Sequence, residues 1–138
     1  MQVTFIVKLM TMMVDVLTSE GFEITNTDVT EASIEALAFC KDGKEYDVSI
    51  STGDSDMCEC LQITGTMRRW NWCVTSSQLV EELKGLTPGD RITVVANEGD
   101  EYDVGITKYY ESEFNMKGVD KTALRAIALD ILGGIIAL

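Results

Sequence analysis

The chain has 138 residues, of which 46% are hydrophobic and 25% are charged, a composition typical of one globular domain over residues 1–138. Asp and Glu number 23 against 11 Lys and Arg, so the net charge is −12. Such an acidic chain is repelled by phosphate backbones and anionic lipids, so we expect neither a nucleic-acid partner nor a membrane partner.

The chain shows no recognisable secretory signal, and no apolar run reaches the roughly 20 residues of a membrane-spanning helix. A cytoplasmic location is therefore expected. Protein segments that carry positive charge have the right sign to be partners. A solvated acidic surface that keeps the protein soluble is the simpler explanation of the same charge.

Residues 5–19 are predicted to form the first helix, because apolar side chains recur three and four positions apart from Ile6 to Leu17. Gly21 follows at the position that ends such a helix. The methionines of this stripe are typical of a core, and an adaptable binding surface is the less common alternative. Residues 22–24 are expected to form a short extended exit, and residues 26–31 a loop.

A β-hairpin is predicted over residues 33–51, because Asp42-Gly43 separates two alternating runs and suits a type I′ turn. The pattern would lose its apolar face if the strands slipped by one residue, which fixes the register. The expected pairs are Phe39 with Tyr46, Leu37 with Val48 and Glu35 with Ile50.

A third strand is predicted over residues 58–67, with Leu61, Ile63 and Met67 facing inward. The cluster Arg68-Arg69-Trp70-Asn71-Trp72 comes next. It combines the residue types most common in interface hot spots, so it is a candidate partner contact. The alternative is that Arg stacks on Trp within the fold.

Thr75 and Gln78 match a capping box, which predicts a short middle helix that continues to Leu83 and is ended by Gly85. Pro88-Gly89 predicts the turn that follows.

The string Glu-Tyr-Asp-Val of the first hairpin recurs after Glu98-Gly99, which predicts a second hairpin over residues 90–108. The expected pairs are Val95 with Tyr102 and Thr93 with Val104. Alternate positions are apolar on both faces, so we expect this hairpin to be covered on both sides. The side chains expected in the core from the two hairpins are Tyr46, Val48, Ile50, Tyr102, Val104 and Ile106.

Residues 109–118 are expected to be irregular, and Asp120 is expected to cap a last helix over residues 121–137. This helix is apolar on nearly all sides, which favours burial on two sides, for instance by a second subunit. Ile131 and Ile135 are therefore candidate partner contacts. Together the elements predict an α+β fold of order α-β-β-β-α-β-β-α, with one antiparallel sheet and helices packed mainly on one face.

This element order, the small acidic chain and the long terminal apolar helix resemble the type III secretion chaperone-like fold. That group includes the class I secretion chaperones and the YbjN family of bacterial sensory transduction regulators. The resemblance covers nearly the whole chain and places the helices near Leu9–Ser19, Ser76–Lys84 and Lys121–Ala137. It implies a non-catalytic protein, typically a homodimer, that holds an extended segment of a partner on apolar patches or a sheet edge.

Few groups of residues in the sequence are of types and spacings suited to catalysis or metal binding. The four cysteines lack C-x₂-C spacing, so reduced thiols are favoured over zinc or a disulfide; they are Cys40, Cys58, Cys60 and Cys73. The acidic residues Asp54, Asp56 and Glu59 suit a solvated turn better than a weak calcium site. The chain has no His, which excludes Ser-His and Cys-His pairs, and it has no glycine-rich phosphate loop.

The sequence therefore predicts a non-catalytic protein-binding module with no cofactor, no metal and no catalytic residues. Its candidate contacts are Arg68, Arg69, Trp70, Trp72, Ile131 and Ile135, and its partner is another protein or a second copy. The alternative is a small-molecule or lipid-binding domain with an apolar cavity between sheet and helices. An enzyme that uses carboxylates alone is the least favoured hypothesis.

Overall fold

The computed structural model describes residues 2–30, 32–52, 60–120 and 122–138. Its elements, in chain order, are α1 (Gln2–Ser19), β1 (Glu23–Val29), β2 (Ser33–Lys41), β3 (Lys44–Ser51), β4 (Cys60–Val74), α2 (Ser76–Lys84), β5 (Arg91–Ala96), β6 (Tyr102–Asn115) and α3 (Leu124–Ile136). The strands form one six-stranded antiparallel sheet in the order β1-β2-β3-β4-β6-β5. The predicted α+β class is confirmed, with one strand more than expected.

The additional strand is β1, where a loop was predicted over residues 26–31. Its sequence is polar, because β1 is an edge strand whose side chains are mostly exposed. Pairing with β2 supplies the stability that its own residues do not indicate, since strand preference depends on the neighbouring strand.

The first hairpin has the predicted turn, with positive φ at both Asp42 (53°) and Gly43 (78°). Phe39 faces Tyr46 and Leu37 faces Val48, as predicted. The pairing of Glu35 with Ile50 is wrong, because an irregularity in β2 shifts the register and places Ile34 opposite Ile50. This shift buries Ile34 and leaves Glu35 exposed.

The second hairpin is displaced by one residue from the predicted register. Tyr102 faces Ala96 and Val104 faces Val94, because the connection is a five-residue loop over 97–101 rather than a two-residue turn. The backbone N–H of Asn97 donates to the carbonyl of Glu101 across it (2.8 Å). The expected cover on both sides is also wrong, since Val94 and Val95 of β5 are exposed.

Strands β4 and β6 both continue beyond their predicted ends at residues 67 and 108, and β6 does so where irregular chain was predicted. β4 runs on through residues 68–74 and β6 through residues 109–115, and the two pair with each other over almost their whole lengths. These two segments mix aromatic, charged and polar side chains, so neither shows the alternation of apolar and polar residues by which a strand is recognised. These residues form strands because they pair with a segment that is distant in the sequence.

All three helices lie on one face of the sheet. The apolar stripe of α1 and the buried side of α3 cover its central strands and form the main core, with Ile6, Leu9, Met13 and Leu17 fully buried. A smaller second cluster joins α2 to the β5–β6 end; its buried members are Val74, Val104 and Ile106. We call the opposite side of the sheet, which carries no helix among the described residues, the open face.

Helix α3 is buried on two sides, but by its own chain. Its buried side chains lie between α1 and the sheet; they are Ile127, Ala128, Ile131, Leu132 and Ile135. Asp120 does not cap the helix: its carboxylate accepts hydrogen bonds from the N–H and hydroxyl of Thr122 in a turn, and the N-cap is Ala123. In the described part of the chain, none of the helices has the length and apolar character needed to cross a membrane.

Candidate binding site

Two stacked tryptophans stand on the open face at the end of β4. Trp70 and Trp72 are two residues apart on a strand, so their side chains share a face. Their ring centroids are 5.4 Å apart and their planes differ by 15°. Although the two rings stack on each other, Trp70 remains 46% exposed and Trp72 67% exposed. This is a large apolar surface presented to solvent, which is uncommon unless it has a partner.

Gly105 of β6 provides the floor beneath Trp70. It pairs directly with Trp70 across β4 and β6, and a Cβ atom at this position would lie 2.8 Å from Cε2 and Cζ2 of the indole. The absence of a side chain at Gly105 therefore allows the ring to approach the backbone of β6 closely.

The end of β4 is held by a bulge. The ladder to β6 is irregular between Asn71 and Val74, and Cys73 has a φ of 55°. The carboxylate of Asp103 fixes this bend, because it accepts hydrogen bonds from the Cys73 backbone N–H (3.0 Å) and the Asn97 side chain (2.9 Å). The tryptophans therefore lie on a strand whose end is held by hydrogen bonds and not on a flexible loop.

Helix α2 returns alongside this strand end. The predicted capping box is present: the Gln78 N–H donates to the Thr75 hydroxyl, and the Thr75 N–H donates to the Gln78 side chain. Across the gap, Arg69 makes two hydrogen bonds to Glu82 (2.6 and 3.1 Å) and Asn71 adds a third (2.9 Å). These bonds fix the distance between α2 and β4.

Between α2 and β4 lies an open cleft of about 640 Å³, which we call the tryptophan cleft. It is lined by Trp70, Asn71, Trp72, Cys73, Val74, Gln78, Glu81 and Glu82. Strand β3 begins at Lys44, opposite Arg69, so within the described residues no strand pairs with β4 beyond Arg69 on that side. The cleft therefore offers aromatic side chains next to the edge of a strand.

The polar lining of the tryptophan cleft is acidic. The hydrogen bond from Arg69 is the main cause that lowers the pKa of Glu82, so this carboxylate is charged at neutral pH. Glu81 is mostly exposed and pairs with Lys84 on its own helix (3.2 Å). On the other side, the charge of Glu101 is the main cause that raises the pKa of the Cys73 thiol. Negative charge thus borders the tryptophans from both directions.

The other predicted contact residues are placed differently. Arg68 lies on the open face and pairs with Asp47 (2.6 Å), whereas Arg69 points to the helix side and pairs with Glu82. Arg stacking on Trp is not seen among the described residues; the tryptophans stack on each other. Ile131 and Ile135 are 2% and 0% exposed, so the expectation that they form a contact surface is corrected: both belong to the core.

Sequence reasoning did not identify Gly105, Gln78, Glu81 or Glu82 as part of this site. The sequence signal for these residues was weak. A glycine occupies the variable position of the second Glu-Tyr-Asp-Val-x-Ile string at residue 105, and two adjacent glutamates lie on the middle helix.

Sequence reasoning also missed Lys108, whose ammonium group binds Asp90 (2.9 Å) and ties β6 to the start of β5. Bonds from Thr87 and Lys108 outweigh the effect of burial, so the pKa of Asp90 is lowered.

The cysteines do not form a site among the described residues. Cys40 and Cys60 lie on β2 and β4, which are separated by β3, and the β3 partner of Cys40 faces Arg68, far along β4 from Cys60. No group of three or more Cys, Asp and Glu suited to a metal ion occurs in the described ranges. Cys58, Asp54, Asp56 and Glu59 lie outside the described residues, so the predictions that concern them stay predictions.

The chain matches no protein-family model and no curated protein sequence. Among solved structures it is similar to the Yersinia pestis type III secretion chaperone SycH, crystallised in complex with a stable fragment of YscM2. The alignment covers 94% of this chain and 98% of that chain, at 16% identity and a TM-score of 0.27. A similarity this weak supports no inference about fold or function.

Proposed function

We propose that the protein is a non-catalytic protein-binding module, chaperone-like or regulatory, and that the tryptophan cleft is the surface that contacts its partner. The observation that supports this most is the exposed, stacked pair Trp70 and Trp72, fixed over Gly105 and next to a strand edge. Tryptophan is among the commonest hot-spot residues, and a rigid aromatic surface loses little entropy when a partner covers it.

The distribution of exposed apolar side chains also favours a binding surface at the end of the molecule that holds the tryptophan cleft. Nine large apolar side chains are exposed in the described ranges, and six of them lie at the end of β4, on α2 or on β5. They are Trp70, Trp72, Val80, Leu83, Val94 and Val95. Surfaces of this kind are characteristic of sites where proteins meet.

The occupant that we propose is an extended segment of another protein. The strand edge beyond Arg69 presents backbone groups to the cleft, and extended segments bind such edges through main-chain hydrogen bonds while side chains enter adjacent pockets. The alternative, an apolar cavity for a small molecule or lipid between the sheet and the helices, is less favoured, because in the described ranges the side chains that α1 and α3 direct to the sheet belong to one buried core cluster.

Selection from a random peptide display library, followed by titration of the selected peptides, tests the proposal. The chain has only two tryptophans, both in the cleft, so fluorescence excited at a wavelength that tyrosine does not absorb reports this site alone. We expect the selected peptides to change the fluorescence of the wild-type protein. By calorimetry we expect them to bind the double variant Trp70→Ser, Trp72→Ser at least about tenfold more weakly.

The matched control is Leu129→Ser, which removes an equally exposed apolar side chain (48%) from α3, and it should leave peptide affinity unchanged. Far-ultraviolet circular dichroism must show that both variants fold. A selection that yields no binding peptide would contradict the proposal. So would peptides that bind the wild type and the double tryptophan variant equally well. Light scattering on the same samples distinguishes peptide binding from self-association of this chain at the cleft.

A further inference from the structure

We infer that the tryptophan cleft selects a cationic partner segment, with an arginine or lysine side chain laid on the exposed indole surface and its charge facing Glu81. This inference rests on the proposed function, because it names the chemistry of the partner at the same site. It predicts a preference that aromatic exposure alone would not produce.

The first support is that no cation lies over either indole ring in the part of the chain that the structure describes. Arg68 is held by Asp47 and Arg69 by Glu82. Within the described residues the cations that lie over aromatic rings are Lys41, over Phe22, and Arg91, over Tyr109. Indole rings bind cations better than other aromatic side chains, so the exposed faces of the two tryptophans can accept a cation from a partner.

The second support is the state of the carboxylates in the cleft. The charge of Glu82 is already paired with Arg69 through two hydrogen bonds, and Asn71 donates a third. This carboxylate therefore holds α2 to β4 and is not open to an incoming cation. Glu81 is different: its side chain is 73% exposed, and its only described ion pair is with Lys84, which is itself 68% exposed. Exposed pairs of this kind are weak, so an incoming cation can displace Lys84 from Glu81.

The third support is the charge of the surroundings. Glu101 and Asp103 lie next to Cys73 at the far side of the tryptophans, as the raised pKa of this thiol and the bond to its N–H show. The whole chain carries −12. This field attracts basic segments and repels acidic ones before contact, and the aromatic pair then provides the local selectivity.

A defined peptide pair tests the charge preference. The probe is a decapeptide of alternating arginine and threonine, which places every guanidinium on one side of an extended chain. Its counterpart has citrulline in place of arginine, which keeps nearly the same shape and removes the charge. We expect the arginine peptide to change the tryptophan fluorescence and to bind at least about tenfold more tightly than the citrulline peptide.

Protein variants separate recognition in the cleft from general attraction to an acidic protein. Glu81→Gln removes one charge inside the cleft, and Glu111→Gln removes the same charge from the other end of β6, opposite Thr64. We expect Glu81→Gln to weaken the arginine peptide several-fold and Glu111→Gln to have little effect. The double variant Trp70→Ser, Trp72→Ser keeps the net charge of −12 and should also bind more weakly, by calorimetry.

The outcomes distinguish the two proposals. Equal affinity for the arginine and citrulline peptides, or equal losses in Glu81→Gln and Glu111→Gln, overturns the charge preference. If peptides selected by display still require Trp70 and Trp72, the protein-binding function stands without that preference. If neither the selected peptides nor the arginine peptide depends on the tryptophans, the function proposed for the cleft fails as well.

Discussion

The indole of Trp70 lies on the backbone of Gly105, so closely that a methyl group there would stand 2.8 Å from two ring atoms and 2.9 Å from a third. This contact joins the two long strands β4 and β6 at the point where the exposed aromatic pair begins. It explains how a tryptophan can be half exposed and still have a fixed orientation, since the Trp70 ring contacts Gly105 and also stacks on Trp72.

Gly105→Ala should therefore displace the ring of Trp70 while the protein stays folded. The added Cβ cannot coexist with the present ring position, but Trp70 is exposed enough to swing outward. We expect a change in the near-ultraviolet circular dichroism, which depends on the Trp70–Trp72 stacking, and a loss of stability of about 1–2 kcal/mol in urea unfolding. Gly99→Ala is not a suitable control because its φ is positive; Gly133→Ala, remote from the tryptophans, should leave this spectrum unchanged. An unaltered spectrum in Gly105→Ala would contradict the contact.

Adjacent glycines in α3 should respond in opposite directions. At Gly133 a Cβ would meet nothing within 4 Å, so Gly133→Ala should stabilise the helix by about 0.5–1 kcal/mol. At Gly134 a Cβ would lie 2.8 Å from the ring and hydroxyl of Tyr110 on β6, so Gly134→Ala should destabilise by about 1–3 kcal/mol. Thermal and urea unfolding measure both. Truncation by Tyr110→Ala should reduce the penalty of Gly134→Ala, and a penalty that persists unchanged would show that the contact with Tyr110 is not its cause.

The ion pair between Arg69 and Glu82 should make stability depend on acid pH. Folding lowers the pKa of Glu82, so the stabilisation is fully present above the unfolded value of about 4.3 and is lost as the pH falls through the lower folded value. We expect Glu82→Gln to cost about 1–3 kcal/mol at neutral pH and to remove part of the decline in unfolding free energy below about pH 4.5. Urea unfolding at a series of pH values measures this.

Glu81→Gln is the matched control for that experiment, since Glu81 is the next residue on α2 and its ion pair is exposed. It should change the free energy of unfolding by less than about 0.5 kcal/mol at any pH. Equal pH dependence in Glu82→Gln and the wild type would show that this pair does not contribute.

Ile135→Ala should destabilise the fold and leave the solution mass unchanged. Ile135 is completely buried within one chain, where it contacts Gly65 of β4. The loss of its side chain should therefore cost about 2–5 kcal/mol, whereas Leu129→Ala on the exposed side of α3 should cost much less. Light scattering after gel filtration gives the mass of each variant. If the wild type is a dimer that Ile135→Ala dissociates without unfolding, the burial of this helix by its own chain is contradicted.

Local patterns in the sequence determined the parts of the fold that depend on neighbouring residues. The helical stripe of α1, the Asp42-Gly43 turn and the Thr75–Gln78 capping box were all predicted, because each is decided by spacing and backbone preference within a few residues. The sequence also identified Trp70 and Trp72 as unusual, although it placed them after a strand rather than on one.

Only the tertiary structure decided the rest. Residues 68–74 of β4 are a strand because they pair with residues 102–107 of β6, and residues 109–115 of β6 are a strand because they pair with residues 60–66 of β4. Residues 70–74 become a strand edge because β3 begins no earlier than Lys44. Helix α3 looked suited to a second subunit, yet α1 and the sheet bury its apolar side. The tryptophan cleft lies where Glu82 on α2 binds Arg69 on β4, two segments that are separate in the sequence. These contacts join segments that are distant in sequence, and neither composition nor periodicity encodes which distant segments meet.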